Sequence, residues 1–205
     1  DHRDSGWDNF RLALLAALPD HIRSPGFRPG LFFNQPDCSP IRRPTPEKSI
    51  YRARVDAGGS LGDSDLARMI SKLYLHEEHW NSMLADILER PSEEACGIVA
   101  GYEGTSCAVF PVTNVLHSPV RFLMDPEEQL AVFHQVEEQD WQLLAIYHSH
   151  LQGPEQPSPT DIAEAYYPEL VNLIWSNITG AWNCRGFLIQ KGRVNTVPVV
   201  RLEVK

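Results

Sequence analysis

From about residue 70 onward the chain alternates short apolar runs with segments of helical periodicity. Residues 72–75 read as a strand. The following 76–90 (HEEHWNSMLADILER) place Trp80, Met83, Leu84, Ile87 and Leu88 at helical spacing, which predicts a helix with one buried face. Residues 95–102 and 106–115 are apolar runs joined at Glu103-Gly104-Thr105, the pattern of an antiparallel pair. Asp125-Pro126-Glu127-Glu128 opens a second helix, to about Gln139, with a capping Asp, Pro at the first helical position and acids at the positive end of the dipole. Residues 143–150 form the next strand, apolar through Tyr147 and then rich in imidazole. A short helix is expected from Ser158 to about Tyr167, then strands over 170–176, 182–190 and 193–204. Several connections are too short for a parallel crossover, so the pattern predicts a mixed α/β domain with a largely antiparallel or mixed sheet.

The first third of the chain is different in texture. Seven of the sixteen prolines fall between Pro19 and Pro46, where the missing backbone donor and fixed φ preclude helix or central strand. One short helix over 8–18 precedes this stretch, and Ala57-Gly58-Gly59-Ser60 reads as a flexible joint. Residues 1–69 are therefore expected to be an N-terminal extension and 70–205 the folded domain, since a single short helix is marginal without a surface to pack on.

Composition narrows the function. A net charge of −9 and a pI near 5.3 disfavour a nucleic-acid partner, which needs clustered cations. No apolar run reaches the roughly 20 residues of a membrane span, and no leader pattern opens the chain, so a soluble, cytoplasmic protein is expected. Cys38, Cys96, Cys107 and Cys184 show no CxxC pair and read as reduced structural thiols. Asn177-Ile178-Thr179 matches a glycosylation acceptor, which matters only in a secreted protein.

His148 and His150 lie two apart on a strand and so face the same side. In most proteins such a pair is an ordinary surface or hydrogen-bonded feature; it is also a plausible metal clamp. Asp161, at the start of the next helix, offers a third ligand. Two imidazoles and one carboxylate with an open fourth position form a hydrolytic zinc centre. The run from His148 to Asp161, His-Ser-His-Leu and then Ser158-Pro159-Thr160-Asp161, resembles the signature of the JAMM (MPN-plus) metallopeptidases: His-x-His-Pro and, seven residues on, Ser-x-x-Asp. Upstream, residues 91–97 (PSEEACG) resemble that family's segment bearing a catalytic Glu, and 117–126 resemble its stand-alone bacterial and archaeal members.

The resemblance covers about residues 72–204. It implies a cytidine-deaminase-like JAMM/MPN fold, one Zn2+ held by His148, His150 and Asp161, Glu94 as general base and Ser158 as oxyanion donor. Glu93 is the neighbouring alternative base, and the family's spacing to Cys96-Gly97 selects Glu94. A capping role for Ser158 competes with its catalytic one for the hydroxyl. Leu151 stands where the family usually has Pro, which would loosen the turn after the second ligand. The other histidines, His76, His79, His117 and His134, lack ligand spacing, and Trp175 and Trp182 read as core or surface-grip aromatics.

By the same resemblance the substrate is the amide bond after the C-terminal Gly-Gly of a ubiquitin-like or sulfur-carrier protein. Such an extended tail is commonly gripped by strand addition at a sheet edge. The short segment after Asp161 favours a simple tail over a ubiquitin chain. The alternatives are a non-catalytic MPN scaffold and a RadC-like, DNA-repair-associated protein. Oligomeric state is left open.

Overall fold

The computed structural model describes residues 70–203; the predicted helix over 8–18 and the proline-rich stretch lie outside the described residues. The elements run β1 (Leu73–His76), α1 (Glu77–Glu89), β2 (Cys96–Tyr102), β3 (Thr105–Val112), α2 (Pro126–Glu138), β4 (Gln142–His150), α3 (Pro159–Ala163), β5 (Val171–Ser176), β6 (Asn183–Gln190), β7 (Arg193–Val197) and β8 (Val199–Leu202). They build one eight-stranded sheet in the order β7-β6-β5-β4-β2-β3-β1-β8. Pairings β2·β3, β2·β4, β5·β6 and β6·β7 are antiparallel. β4·β5, β1·β3 and β1·β8 are parallel, so the sheet is mixed and mostly antiparallel.

One expected strand is in fact two. The run over 193–204 breaks at Pro198: β7 closes one edge of the sheet on β6, and β8 closes the other on β1. Proline has no N–H to continue a ladder, while its carbonyl still accepts from Leu73 N–H at 2.9 Å. Consecutive strands on opposite edges require the sheet to curl until its edges approach. A Cβ on Gly186 of β6 would lie 2.9 Å from Val199 of β8.

The apolar pattern explains the layers. Met83 and Ile87 of α1 bury against Leu73, Leu75, Val99, Tyr147, Leu173 and Trp175, and Trp80 packs its ring 4.6 Å from that of Trp175. Trp175 is thus a core residue. The opposite face of β5 and β6 presents Ile174, Phe187 and Ile189 to Ile162 and Ala165, at and just beyond α3. α3 is shorter than predicted, ending at Ala163. Cys96 is a buried free thiol, and burial pushes its pKa up, as expected for packing rather than reactivity. The β2–β3 turn places Glu103 and Gly104 at φ 49° and 78°, the left-handed pair of a tight hairpin.

Gly97 shows why β2 and β4 can meet closely. It lies directly across from Tyr147, whose ring covers it and whose hydroxyl donates to Asp86 at 2.8 Å. A Cβ there would overlap the Phe110 carbonyl and come within 2.5 Å of the ring. Gly97→Ala is expected to destabilise the domain by about 1–3 kcal/mol, the usual range for overpacking, measured by urea unfolding.

His79, on the buried face of α1, sets Nδ1 2.7 Å from Ser106 Oγ, which also accepts from His76 N–H at 3.0 Å. Burial, with the adjacent His76, pulls its pKa from 6.5 to about 4, partly offset by a hydrogen bond with the Cys107 backbone. Because the folded value is depressed, the unfolded chain takes up the proton first as pH falls. The stability that neutral His79 contributes is whole above about 6.5 and is lost toward 4. Urea midpoints are expected to fall over that window, and His79→Asn to flatten this part of the decline.

Candidate metal centre and groove

The sheet register assembles the site. β2 pairs antiparallel with β4, with Cys96 opposite His148. Ala95 and Ser149 continue that register: Ser149 N–H donates to the Ala95 carbonyl at 3.0 Å, and Ala95 N–H to Ser149 Oγ at 2.9 Å. One step further, Glu94 falls beside His150, on the same face as both imidazoles by the two-residue period. Glu93 points elsewhere and pairs with His117 Nδ1 at 2.7 Å.

On this face β4 and β5 set His148 beside Ile174 and His150 beside Ser176, and Ile162 packs on Ile174. That packing brings in Asp161. Ser158 caps α3 in a full capping box: its Oγ accepts from Asp161 N–H at 3.1 Å, and Asp161 Oδ2 accepts from Ser158 N–H at 2.6 Å. The cap uses a lone pair and leaves the hydroxyl proton free to donate outward, so capping and oxyanion binding do not compete as the sequence suggested.

His148 Nε2 and His150 Nε2 lie 3.1 Å apart, with Asp161 Oδ1 3.5 Å from the first and Oδ2 3.3 Å from the second. A tetrahedral zinc site with bonds of about 2.0–2.2 Å separates its ligands by roughly 3.3–3.6 Å. The two imidazoles stand slightly closer than that and Asp161 turns a different oxygen to each, so the three side chains converge closely enough to share one cation. His150 Nδ1 donates to the Pro154 carbonyl at 2.8 Å, which turns its Nε2 lone pair toward the other two donors. Gly153 permits this: a Cβ there would lie 3.0 Å from His150 Cβ. The Leu151 turn therefore still holds the second imidazole in place.

The electrostatics agree. Burial alone would raise Asp161, but the facing imidazoles of His148 and His150 and the hydrogen bond from the Ser158 backbone outweigh it and hold the carboxyl well below its usual range. Burial lowers His148, whereas at His150 the opposing burial is outweighed by Asp161 and the Pro154 carbonyl, and its pKa rises. Glu94 is 4% exposed. Burial pushes its carboxyl up to about 7, against the pull of His150 and with the push of Asp161. Glu94, His150 and Ser158 line one groove of about 390 Å3, walled by Pro119, Val120, Leu151, Gln152, Gly153 and Pro154.

Sequence reasoning missed Asn114, Phe122 and Ser149. Ser149 fastens β4 to the residue after Glu94. Phe122 stacks on His148, ring centroids 4.6 Å apart at 23°. Asn114 is fully buried and hydrogen-bonds the Glu94 carbonyl. No pattern in a single sequence distinguishes these residues. β4 lies inside the sheet, three strands from the nearer edge, roughly 14 Å at about 4.7–4.9 Å per strand.

Two histidines and a carboxylate thus lie where they could hold a metal ion, with a carboxyl and a hydroxyl on the adjoining open groove. Residues 76–185 match the family described as prokaryotic homologs of the JAB domain, and the chain belongs to that family. The desampylase of Pyrococcus furiosus is 28% identical over 125 residues, covering 60% of this chain and 86% of the relative. The CysO-cysteine peptidase of Mycobacterium tuberculosis is 34% identical over 122 residues, 58% of this chain and 84% of the relative. The probable TtuB-protein conjugate cleaving protease of Thermus thermophilus is 36% identical over 110 residues, 53% and 70% of the two chains. The solution structure of protein DSY2949 from Desulfitobacterium hafniense aligns with a TM-score of 0.60 at 32% identity, covering 64% of this chain and 94% of that one. No helix among the described residues is long and apolar enough to cross a membrane.

Proposed function

We propose that this chain is a zinc-dependent peptidase or isopeptidase that hydrolyses the amide bond after the C-terminal Gly-Gly of a ubiquitin-like or sulfur-carrier protein. The observation that carries the reading is the convergence of His148 Nε2, His150 Nε2 and the Asp161 carboxylate at the groove that Glu94 and Ser158 line. The names of the relatives, a CysO-cysteine peptidase and a TtuB-protein conjugate cleaving protease among them, support the substrate class.

In this reading the three ligands hold the ion through Nε2, Nε2 and a carboxylate oxygen. When bound, zinc supplies Lewis acidity that brings the pKa of water toward about 7 and polarises a carbonyl. Glu94 accepts the proton of the attacking water on a carboxylate oxygen and returns it to the leaving amine nitrogen. Its burial raises proton affinity toward 7, and a cation held by the adjoining ligands would draw it back to the ionised form, so that it would begin as the acceptor. The Ser158 hydroxyl donates to the carbonyl oxygen as negative charge develops there. The groove walls from Pro119 to Pro154 suit an extended tail without side chains at its last two residues.

The test uses a ubiquitin-like protein whose Gly-Gly terminus carries either a short peptide extension or a lysine-linked partner. Zinc-loaded chain is expected to release the free Gly-Gly terminus, read by intact mass, and a chelator to stop it. A wild-type chain that binds no stoichiometric zinc overturns the enzyme reading. One that binds zinc but cleaves neither substrate overturns the substrate assignment.

A further inference from the structure

A short ribbon, residues 113–125, leaves β3, passes the metal ligands and enters α2. Its two arms pair at Asn114 and Met124, with Val115 N–H donating to Leu123 O at 2.9 Å and Asp125 N–H to Thr113 O at 2.8 Å. At its centre is the fully buried Asn114 side chain with both halves of the amide satisfied twice. Its Nδ2 donates to the carbonyls of Glu94 and Arg121, each at 3.0 Å. Its Oδ1 accepts from the Leu116 and Leu123 N–H groups, each at 3.1 Å. The Glu94 N–H in turn donates to the Ser118 carbonyl at 2.8 Å. One amide therefore joins the backbone of Glu94 to the loop that carries Phe122.

Phe122 lies flat on the ring of His148. The two imidazoles are held differently. His150 is fixed by its bond to Pro154, but His148 Nδ1 is buried with no hydrogen-bond partner among the described residues. A ligand histidine usually has its ring orientation set by a hydrogen bond at its second nitrogen. Here the contact that fixes the ring plane is the aromatic face. An outward anchor, Arg121 to Glu164 at 2.8 Å, ties the same loop to the end of α3, just beyond Asp161.

We propose that Asn114 is a positioning residue that sets two functional groups at once: the carboxyl of Glu94 through its backbone, and the metal-binding face of His148 through Phe122. The inference rests on the zinc-peptidase reading. Neither residue touches the reacting atoms. An amide is required because the site needs two donors and two acceptors on one planar group. Aspartate has the same shape but no donor, and it would set a carboxylate oxygen against two carbonyls.

The test measures zinc affinity by competition with a chromophoric chelator, and kcat and KM at saturating zinc, on the full chain. Asn114→Asp is expected to weaken zinc about 10–100-fold, the range for loss of an outer-sphere partner, and to lower kcat with KM nearly unchanged. Phe122→Ala is expected to weaken zinc similarly but to recover kcat when zinc is saturating; Phe122→Tyr keeps the stacking face and the affinity. The double variant is expected to lose less than the product of the single losses, since both act through one loop.

A merely structural Asn114 would lower the unfolding midpoint and leave zinc affinity and kcat per folded molecule at wild-type values, which overturns the proposal. Should Asn114→Asp not fold, the Phe122 pair decides it: affinity lost in Ala and kept in Tyr supports it, and unchanged affinity in Ala overturns it. Wild type that binds no zinc removes the metal reading and this inference together; variants that bind like wild type remove only the inference.

Discussion

Replacing Glu94 by Gln is expected to reduce kcat by about 10²–10⁴-fold, the usual contribution of a positioned general base, while zinc content stays at one per chain. The two effects separate because of where Glu94 sits. It follows the β2–β4 register to a point beside His150, yet it is not among the three donors at ligand spacing. Gln keeps the shape of the side chain, and Glu94 is already held toward its neutral form by burial, so the fold tolerates the exchange. KM is expected to change little if, as proposed, the groove walls hold the tail and this carboxyl acts only on the proton. Metal analysis with steady-state kinetics on the same preparation checks it. Loss of zinc in Glu94→Gln would move Glu94 into the ligand set and contradict the assigned roles.

Asp161→Asn is expected to empty the metal site and to abolish activity with it. The Asp161 carboxyl stands between two imidazole nitrogens at 3.5 and 3.3 Å and is held ionised by them and by the Ser158 backbone. An amide can still accept from Ser158 N–H, so the cap of α3 is largely preserved. What disappears is the only negative charge among the ligands. The loss of zinc affinity is expected to exceed the 10–100-fold that an outer-sphere partner contributes. Dialysis against a weak chelator followed by metal analysis would show it, with the unfolding midpoint of the metal-free protein near that of metal-free wild type. A midpoint many degrees lower would mean that the substitution acted through the helix cap instead.

Much of this site could be read along the chain because its spacings are local. His148 and His150 share a face by the two-residue period of a strand, and Ser158 and Asp161 share the first turn of a helix. Both relations hold whatever packs around them. The ambiguity between Glu93 and Glu94 was narrowed by a family spacing, and the register gives its physical basis: Cys96 is opposite His148, so Glu94 reaches His150 while Glu93 turns to His117. Most strands and both longer helices were legible for the same reason, since apolar periodicity reports local burial.

Other features depend on residues far apart in the chain, and periodicity carries no such information. Residues 193–204 look like one strand, and only the curl of the sheet explains why Pro198 divides them between opposite edges. The place of β4 inside the sheet likewise follows from pairings between distant segments. Asn114 reads as an unremarkable polar residue after a strand, yet its four hydrogen bonds reach carbonyl and amide groups from Glu94 to Leu123. The sequence by itself supplied the local spacings that put the candidate ligands on one strand face and one helix turn. Only the tertiary structure decided how those groups are held, because ring planes and carboxyl positions are set by packing and hydrogen bonds between segments that meet on folding.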